Sequence, residues 1–184
     1  METALPLQIR RATASDSVLL AEIGAETFAD TFAAENTPEN MAAYLSAAFS
    51  AAQQARELAD PASRFLIAAV AGLAAGYARL RFGPAPAAVA GEKLMEIARF
   101  YVRKPWIGKG AAAQLMQACM SEAQRAECDV AWLDVWERNF RAIAFYRKWG
   151  FAEVGVQAFQ LGDDLQRDLL MARAVKRDAG GAVR

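Results

Sequence analysis

Apolar positions along the chain follow two spacings, and the switches between them mark the elements. Residues 7–11 have the alternation of a short strand. From Leu19 the apolar residues recur as Leu19, Leu20, Ile23 and Phe28, the 3.6-residue period of a helix that runs to about Thr31, with Thr13, Ser15 and Asp16 available as caps. A second helix is predicted after Asn36-Thr37-Pro38-Glu39-Asn40, with Thr37 as cap and Pro38 at the first helical position. Met41, Tyr44, Leu45 and Phe49 form its apolar side. The alanine-rich residues 51–59 stay helical until Asp60-Pro61, because proline disfavours a helical residue before it. The period then drops to two. Residues 64–70 and 76–82 read as strands joined near Ala71-Gly72, and 84–91 as an exposed loop that Pro84 and Pro86 keep out of any sheet interior.

The second half is denser. Residues 94–102 are rich in β-branched and aromatic side chains and read as a strand. A helix follows with apolar positions Ala112, Leu115, Met116, Cys119 and Ala123. Residues 130–135 are nearly all apolar, as in a strand covered on both faces. Asn139 caps a further helix bearing Ala142, Phe145, Tyr146 and Trp149 on its apolar side, which Gly150 stops. Residues 151–159 and 165–172 read as a last antiparallel pair, and the polar tail 176–184 is expected to be disordered.

The sharpest local signal is the turn Ile107-Gly108-Lys109-Gly110-Ala111-Ala112 between a strand and a helix. Small residues there let backbone approach a ligand, and the first N–H groups of the helix have no intrahelical partner. The turn reads as a pyrophosphate cradle. A P-loop is excluded because Gly108-Lys109 is followed by Gly110 and not by Ser or Thr. A dinucleotide fingerprint is closer, since Gly108-x-Gly110-x-x-Ala113 fits its relaxed form and Asp134 ends the next strand. Yet Arg103 to Ile107 intervene between strand and glycines, and too little chain follows for a doubly wound sheet. Acyl-coenzyme A binding is the third reading.

From Glu96 to Phe151 the sequence resembles the GCN5-related N-acetyltransferases (GNAT). The strand ending Phe100-Tyr101-Val102, the turn Ile107 to Ala112, Trp136-Glu137-Arg138-Asn139 and Phe145-Tyr146-Arg147-Lys148-Trp149-Gly150-Phe151 occur in that family's order and spacing. Ile107 departs from the Gln or Arg usual at its position. The resemblance implies an α/β (α+β) fold: a mixed, mostly antiparallel sheet of six to seven strands, helices on both faces, and splayed central strands. It implies acetyl-CoA as co-substrate, held by backbone groups of Phe100, Tyr101 and Val102 and by the turn Ile107, Gly108, Lys109, Gly110, Ala111 and Ala112. Asn139 is implied near the pantetheine and Lys148 near the adenosine phosphate, each with the alternative of a plain helix cap or a solvated lysine. Glu96 is implied as catalytic base, with Glu137 and Asp134 behind it, and Tyr146 as the group beside the thioester sulfur. Residues 27–45 resemble a bacterial subgroup that includes spermidine/spermine acetyltransferases. The acceptor implied is a small amine such as a polyamine, with a protein lysine or N-terminal amine next and a non-catalytic acyl-CoA sensor as the reading from another class.

Composition narrows the chemistry. The 184 residues fit one domain, taken as 1–175, and 21 acidic against 21 basic residues argue against a nucleic-acid partner that depends on a strong basic field. Neither a membrane span nor a secretory signal is read, so the expected location is the cytoplasm. The family's habits allow a homodimer. Histidine is absent, which removes His-based nucleophilic pairs and His metal sites, and no metal is implied. Cys119 and Cys128 read chiefly as small buried apolar residues. Glu22, Glu26 and Asp30 line one helix face, either as solvated charge or as an acidic wall toward a cationic substrate.

Overall fold

In the computed structural model, which describes residues 7–176, seven strands form one sheet: β1 (Leu7–Arg11), β2 (Ser63–Val70), β3 (Leu73–Phe82), β4 (Leu94–Val102), β5 (Val130–Trp136), β6 (Ala152–Leu161) and β7 (Asp164–Ala174). Their order is β1-β2-β3-β4-β5-β7-β6, with every neighbouring pair antiparallel except β4 with β5. The helices are α1 (Ser17–Phe32), α2 (Pro38–Ala48), α3 (Ala51–Ala59), α4 (Ala111–Arg125) and α5 (Phe140–Lys148). This is the mixed, mostly antiparallel architecture expected. Of the tail expected to be disordered, residues 177–184 lie outside the described residues.

The caps read from sequence are in place. Thr37 Oγ1 accepts from the Asn40 N–H at 3.2 Å and Asn139 Oδ1 from the Ala142 N–H at 3.2 Å. One boundary differs: β3 begins at Leu73, not at 76. Ala71 and Gly72 both have positive φ (50° and 79°), which makes a two-residue hairpin turn, so pairing starts at once with Val70 opposite Leu73.

Helices α4 and α5 cover one face of the sheet. Leu115, Met116, Cys119 and Ala123 of α4 pack with Met95, Ile97, Ala131, Leu133 and Met171 of the strands. Helices α1 to α3 cover the other face, where Leu20 and Ile23 meet Phe65, Ile67 and Tyr77, and Phe28 meets Met41, Phe49 and Leu161. Both cysteines are buried and free. Two buried carboxylates bind the layers together. Glu122 of α4 takes Arg11 of β1 at 2.7 Å, Arg64 of β2 at 3.0 Å and Arg125 at 2.7 Å. Glu57 of α3 takes Arg79 of β3 at 2.7 Å and Arg99 of β4 at 2.5 Å. Arg79 and Arg99 are directly paired across β3 and β4, so without Glu57 two like charges would face each other under a helix.

The feature that positions the site lies in β4. Its register with β3 slips between Arg79 and Leu80, where Ala98 is the extra residue of a bulge. A bulge bends its strand and resets the in-and-out alternation. Before it, Met95 and Ile97 face α4 and Glu96 faces the other side. After it, Phe100 joins the α4 and α5 core while Arg99 and Tyr101 turn toward α1 to α3. The bend also explains why β4 leaves β5: the two pair only at Leu94, Met95 and Glu96, against Val130, Ala131 and Trp132. Beyond Glu96 the strands splay.

Candidate active site

The splay makes a wedge with backbone on both sides. Along Phe100, Tyr101 and Val102, one edge of β4 is occupied by β3, in register with Ala78, Tyr77 and Gly76, and the other edge faces the wedge. Gly76 makes the occupied side tight: a Cβ there would sit 2.2 Å from the Tyr101 carbonyl oxygen. The Tyr101 side chain is packed away between Phe49 and Tyr77, so that residue can offer a ligand in the wedge only its backbone.

At the end of β4, a single 3-10 turn (Lys104–Trp106) leads into the glycine turn. Gly108 and Gly110 take left-handed φ of 78° and 86°, and a Cβ on either would meet no atom within 4 Å. The corner is open. The first bond of α4 runs from the Gln114 N–H to the Gly110 carbonyl at 3.1 Å, so the N–H groups of Ala111, Ala112 and Ala113 have no backbone acceptor among the described residues. Ala111 itself is fully buried against Val70, Ala75, Val102 and Trp106, which fixes the direction of the helix end. Ile107 is partly exposed, and Lys109 Nζ lies 5.7 Å from the Trp106 ring centroid. The wall of Glu22, Glu26 and Asp30 is largely neutralised by the same segment. Arg103 reaches Glu26 at 2.9 Å and Lys104 reaches Asp30 at 2.6 Å.

Tyr146 of α5 lies under the wedge, its ring edge-on to Phe100 (6.2 Å) and Phe151 (6.0 Å). It is 7% exposed, and its hydroxyl makes no hydrogen bond with any described residue. Burial raises its phenol above the usual range, with the charges of Cys119 and Asp134 adding to the effect. Asn139 spends its side-chain oxygen on the cap, and Lys148, exposed at the end of α5, has no ion pair among the described residues. The turn thus follows the splayed end of β4, Tyr146 packs against Phe100 of that strand, and Asn139 and Lys148 stand at the two ends of α5.

Comparison with known proteins identifies this arrangement. The acetyltransferase (GNAT) family profile matches residues 26–151. The chain belongs to the GNAT acetyltransferase family. An uncharacterized N-acetyltransferase of Lactobacillus delbrueckii subsp. lactis is 34% identical over 119 residues, 65% of this chain and 69% of that protein. An uncharacterized N-acetyltransferase of Mycobacterium bovis is 33% identical over 159 residues, 86% of this chain and 97% of that protein. The crystal structure of the PaiA N-acetyltransferase of Thermoplasma acidophilum in complex with coenzyme A superposes with a TM-score of 0.74 at 19% identity, covering 92% of this chain and 99% of that one. This GNAT chain is thus an acetyl-CoA-dependent N-acetyltransferase, and the open turn and wedge fit the co-substrate.

On the α1 to α3 side of the sheet, the enzyme carries acids in a row across three strands. Glu96 of β4, 13% exposed in its side chain, pairs with Arg81 at 3.2 Å; burial raises its carboxyl, Arg81 opposes that and Asp134 adds to it. Asp134 of β5 accepts from Gln157 Nε2 of β6 at 2.7 Å and is raised chiefly by burial. Asp168 of β7 lies opposite Trp136 and is 7% exposed. Burial, then the charges of Asp134 and Glu137, push its carboxyl up to about 7. An aromatic wall stands beside them: Tyr44 on Phe159 (5.6 Å) and Phe32 on Trp136 (5.2 Å). Glu137, read from sequence as a second candidate base, is engaged by Arg167 at 3.2 Å.

Asp168, Gln166 and Tyr44 escaped the reading of the sequence as site residues. A usable signal was present. On the strand 165–172, Gln166 and Asp168 share the parity of Leu170, which is 1% exposed, so two polar residues occupy a buried face.

Proposed function

We propose that the enzyme acetylates a primary amine of a small, polyamine-type acceptor, with Glu96 and Tyr146 on opposite sides of the wedge. The observation that carries this reading is the splay beyond Glu96 and Trp132, because it leaves the far edge of β4 unpaired just before the open turn that starts α4. In this reading, backbone groups of Phe100, Tyr101 and Val102 hold the pantetheine and acetyl oxygen. The N–H groups opening α4, presented by Ile107, Gly108, Lys109, Gly110, Ala111 and Ala112, hold pyrophosphate. Asn139 contacts the pantetheine with its amide NH₂, and Lys148 the adenosine phosphate.

An alkylammonium with pKa ~10.4 is deprotonated to about 1 part in 2,500 at pH 7, a handicap of roughly 4.6 kcal/mol. Glu96, raised by burial, takes one proton from the ammonium, directly or through water. The freed nitrogen lone pair bonds to the thioester carbonyl carbon, the C–S bond breaks, and the thiolate leaves with the electron pair. The second nitrogen proton goes to that thiolate, giving amide and thiol. Tyr146 donates a hydrogen bond to the departing sulfur. A free phenol of pKa ~10 against a thiol of ~8.5 makes full proton transfer cost about 2 kcal/mol, and the burial of Tyr146 raises that further. Hydrogen bonding is the role that survives.

The test is thiol release from acetyl-CoA across a panel of monoamines, diamines, polyamines, and peptides with free lysine or N-terminal amines. Release with small polyamines supports the reading. Release only with peptides moves the acceptor to protein, and acetyl-CoA binding without release across the panel makes the chain a sensor.

A further inference from the structure

Asp168 is a buried carboxylate without a partner. Its Oδ1 is sealed from solvent and accepts no hydrogen bond. The two arginines on the adjoining groove are committed elsewhere: Arg167 to Glu137 (3.2 Å) and Arg138 to Glu35 (2.9 Å). The titratable groups that do face Asp168 are Asp134 from β5, Glu137 just beyond it, and the phenol of Tyr44 from α2. None supplies positive charge. Such a charge is costly unless something paired with it arrives from outside.

Gln166 shows the same deficit independently. It is 9% exposed, and its amide NH₂ donates to Asn36 Oδ1 at 3.1 Å and to Asp164 Oδ2 at 2.7 Å. Both partners are acceptors, so the NH₂ has to face them and the Oε1 is left buried without a donor. Gln166 and Asp168 are two apart on β7, so their side chains share a face at roughly 7 Å spacing along the strand. The amide NH₂ of Gln157, across from Asp168 on β6, is spent on Asp134 at 2.7 Å, and the two acceptors left unpaired are the complement of an ammonium group. A groove of about 470 Å³ reaches Gln166 from outside, bordered also by Glu35, Asn36, Trp136, Arg138 and Arg167, and Asp168 lies one position beyond Arg167 on the same strand.

Resting on the transferase reading above, we infer that Asp168 selects the acceptor: its carboxylate, with Gln166 Oε1 beside it, seats a second, non-reacting ammonium of a diamine- or polyamine-type substrate. The reacting amine lies beside Glu96. Glu96 and Asp168 flank β5 on the same sheet face, opposite Trp132 and Trp136, so two strand spacings and four residues along β5 separate them, roughly 16 Å at the backbone. A polyamine, or a diamine of about six to eight methylenes, has the length for that gap once the two side chains reach toward each other. A monoamine of the same length leaves Asp168 unpaired.

The experiment compares kcat/KM for matched pairs, hexylamine with diaminohexane and octylamine with diaminooctane, in wild-type protein and Asp168→Asn. The wild type is expected to favour the diamine by about 10- to 100-fold, the value of a hydrogen bond to a charged group. Asp168→Asn is expected to bring that ratio close to one through the KM of the diamine, not through kcat. The wild-type ratio needs no variant, and it falls as pH drops through about 7, where Asp168 takes up a proton. Equal use of both amines by the wild type, or a diamine preference that survives in Asp168→Asn, overturns the inference alone. No release with any amine, from protein shown to bind acetyl-CoA, overturns the transferase reading and this inference with it.

Discussion

Glu96 and Trp132 face each other in the last parallel rung between β4 and β5, and past that rung the Ala98 bulge carries β4 away. The base candidate therefore sits where the sheet begins to open. Its carboxylate lies beside Arg81 on one strand and in the field of Asp134 on the other, under enough cover to raise it above the ordinary range.

A base works only when deprotonated, so kcat at saturating amine is expected to fall as pH drops through the raised value of Glu96. Glu96→Gln is expected to lower kcat by about 100-fold or more and to remove that acid limb. A pH profile unchanged by the substitution would assign the proton to another group.

Tyr146 packs as a core residue and still keeps its hydroxyl unbonded under the wedge. Tyr146→Phe keeps the ring contacts with Phe100 and Phe151, so acetyl-CoA affinity is expected to hold while kcat falls about 10- to 100-fold. Equilibrium binding beside steady-state rates separates the two effects, and a fully active variant would leave Tyr146 a packing residue.

Much of the fold was legible because its signals are local. Thr37, Asn139, the proline at 61 and the glycines at 108, 110 and 150 each act within a turn of their own position, and the elements they bound lie where the sequence puts them. The wedge is different. It depends on one extra residue at Ala98 measured against β3, a strand about twenty positions earlier, and alternation within 94–102 does not reveal which partner slips. The glycine turn was legible for the same local reason. The acidic row was not, because Glu96, Asp134 and Asp168 come from three strands whose adjacency exists only in the folded sheet.

The end of α4 gives a prediction with two opposite signs. Ala112→Asp places a carboxylate in the first turn, where the unpaired N–H groups favour it, and stability should rise by about 0.3–1 kcal/mol. The same charge competes with pyrophosphate for those N–H groups, so acetyl-CoA affinity should drop by about tenfold or more. Thermal melts with and without coenzyme A test both halves at once. A variant that is more stable and binds as well as wild type would put the diphosphate elsewhere.

Glu57 is the counter-charge for Arg79 and Arg99, with all three side chains 12% exposed or less. Glu57→Ala leaves two buried guanidinium groups facing one another and is expected to cost about 3–5 kcal/mol, or roughly a 10 °C drop in Tm. The exposed pair of Glu35 with Arg138 is the control, where Glu35→Ala should cost under about 1 kcal/mol. Equal effects at the two sites would refute the clamp.

Asp168 makes the reverse prediction, that removing a charge strengthens the fold. An unfolded aspartate titrates near ~3.9, whereas burial and its acidic neighbours hold folded Asp168 at about 7. Between those values the native state binds more protons than the unfolded state, so stability declines as pH rises from about 4 to about 7 and the full cost stands above that. Asp168→Asn keeps the shape and abolishes the charge. It is expected to stabilise the protein by about 2–4 kcal/mol at about pH 8, raising Tm by roughly 5–10 °C, and to make little difference at about pH 4. A diamine bound at the carboxylate should supply the missing counter-charge, so saturating diaminooctane is expected to raise the wild-type Tm more than that of Asp168→Asn. A variant less stable than wild type at both pH values would mean that Asp168 already has a partner in the folded protein.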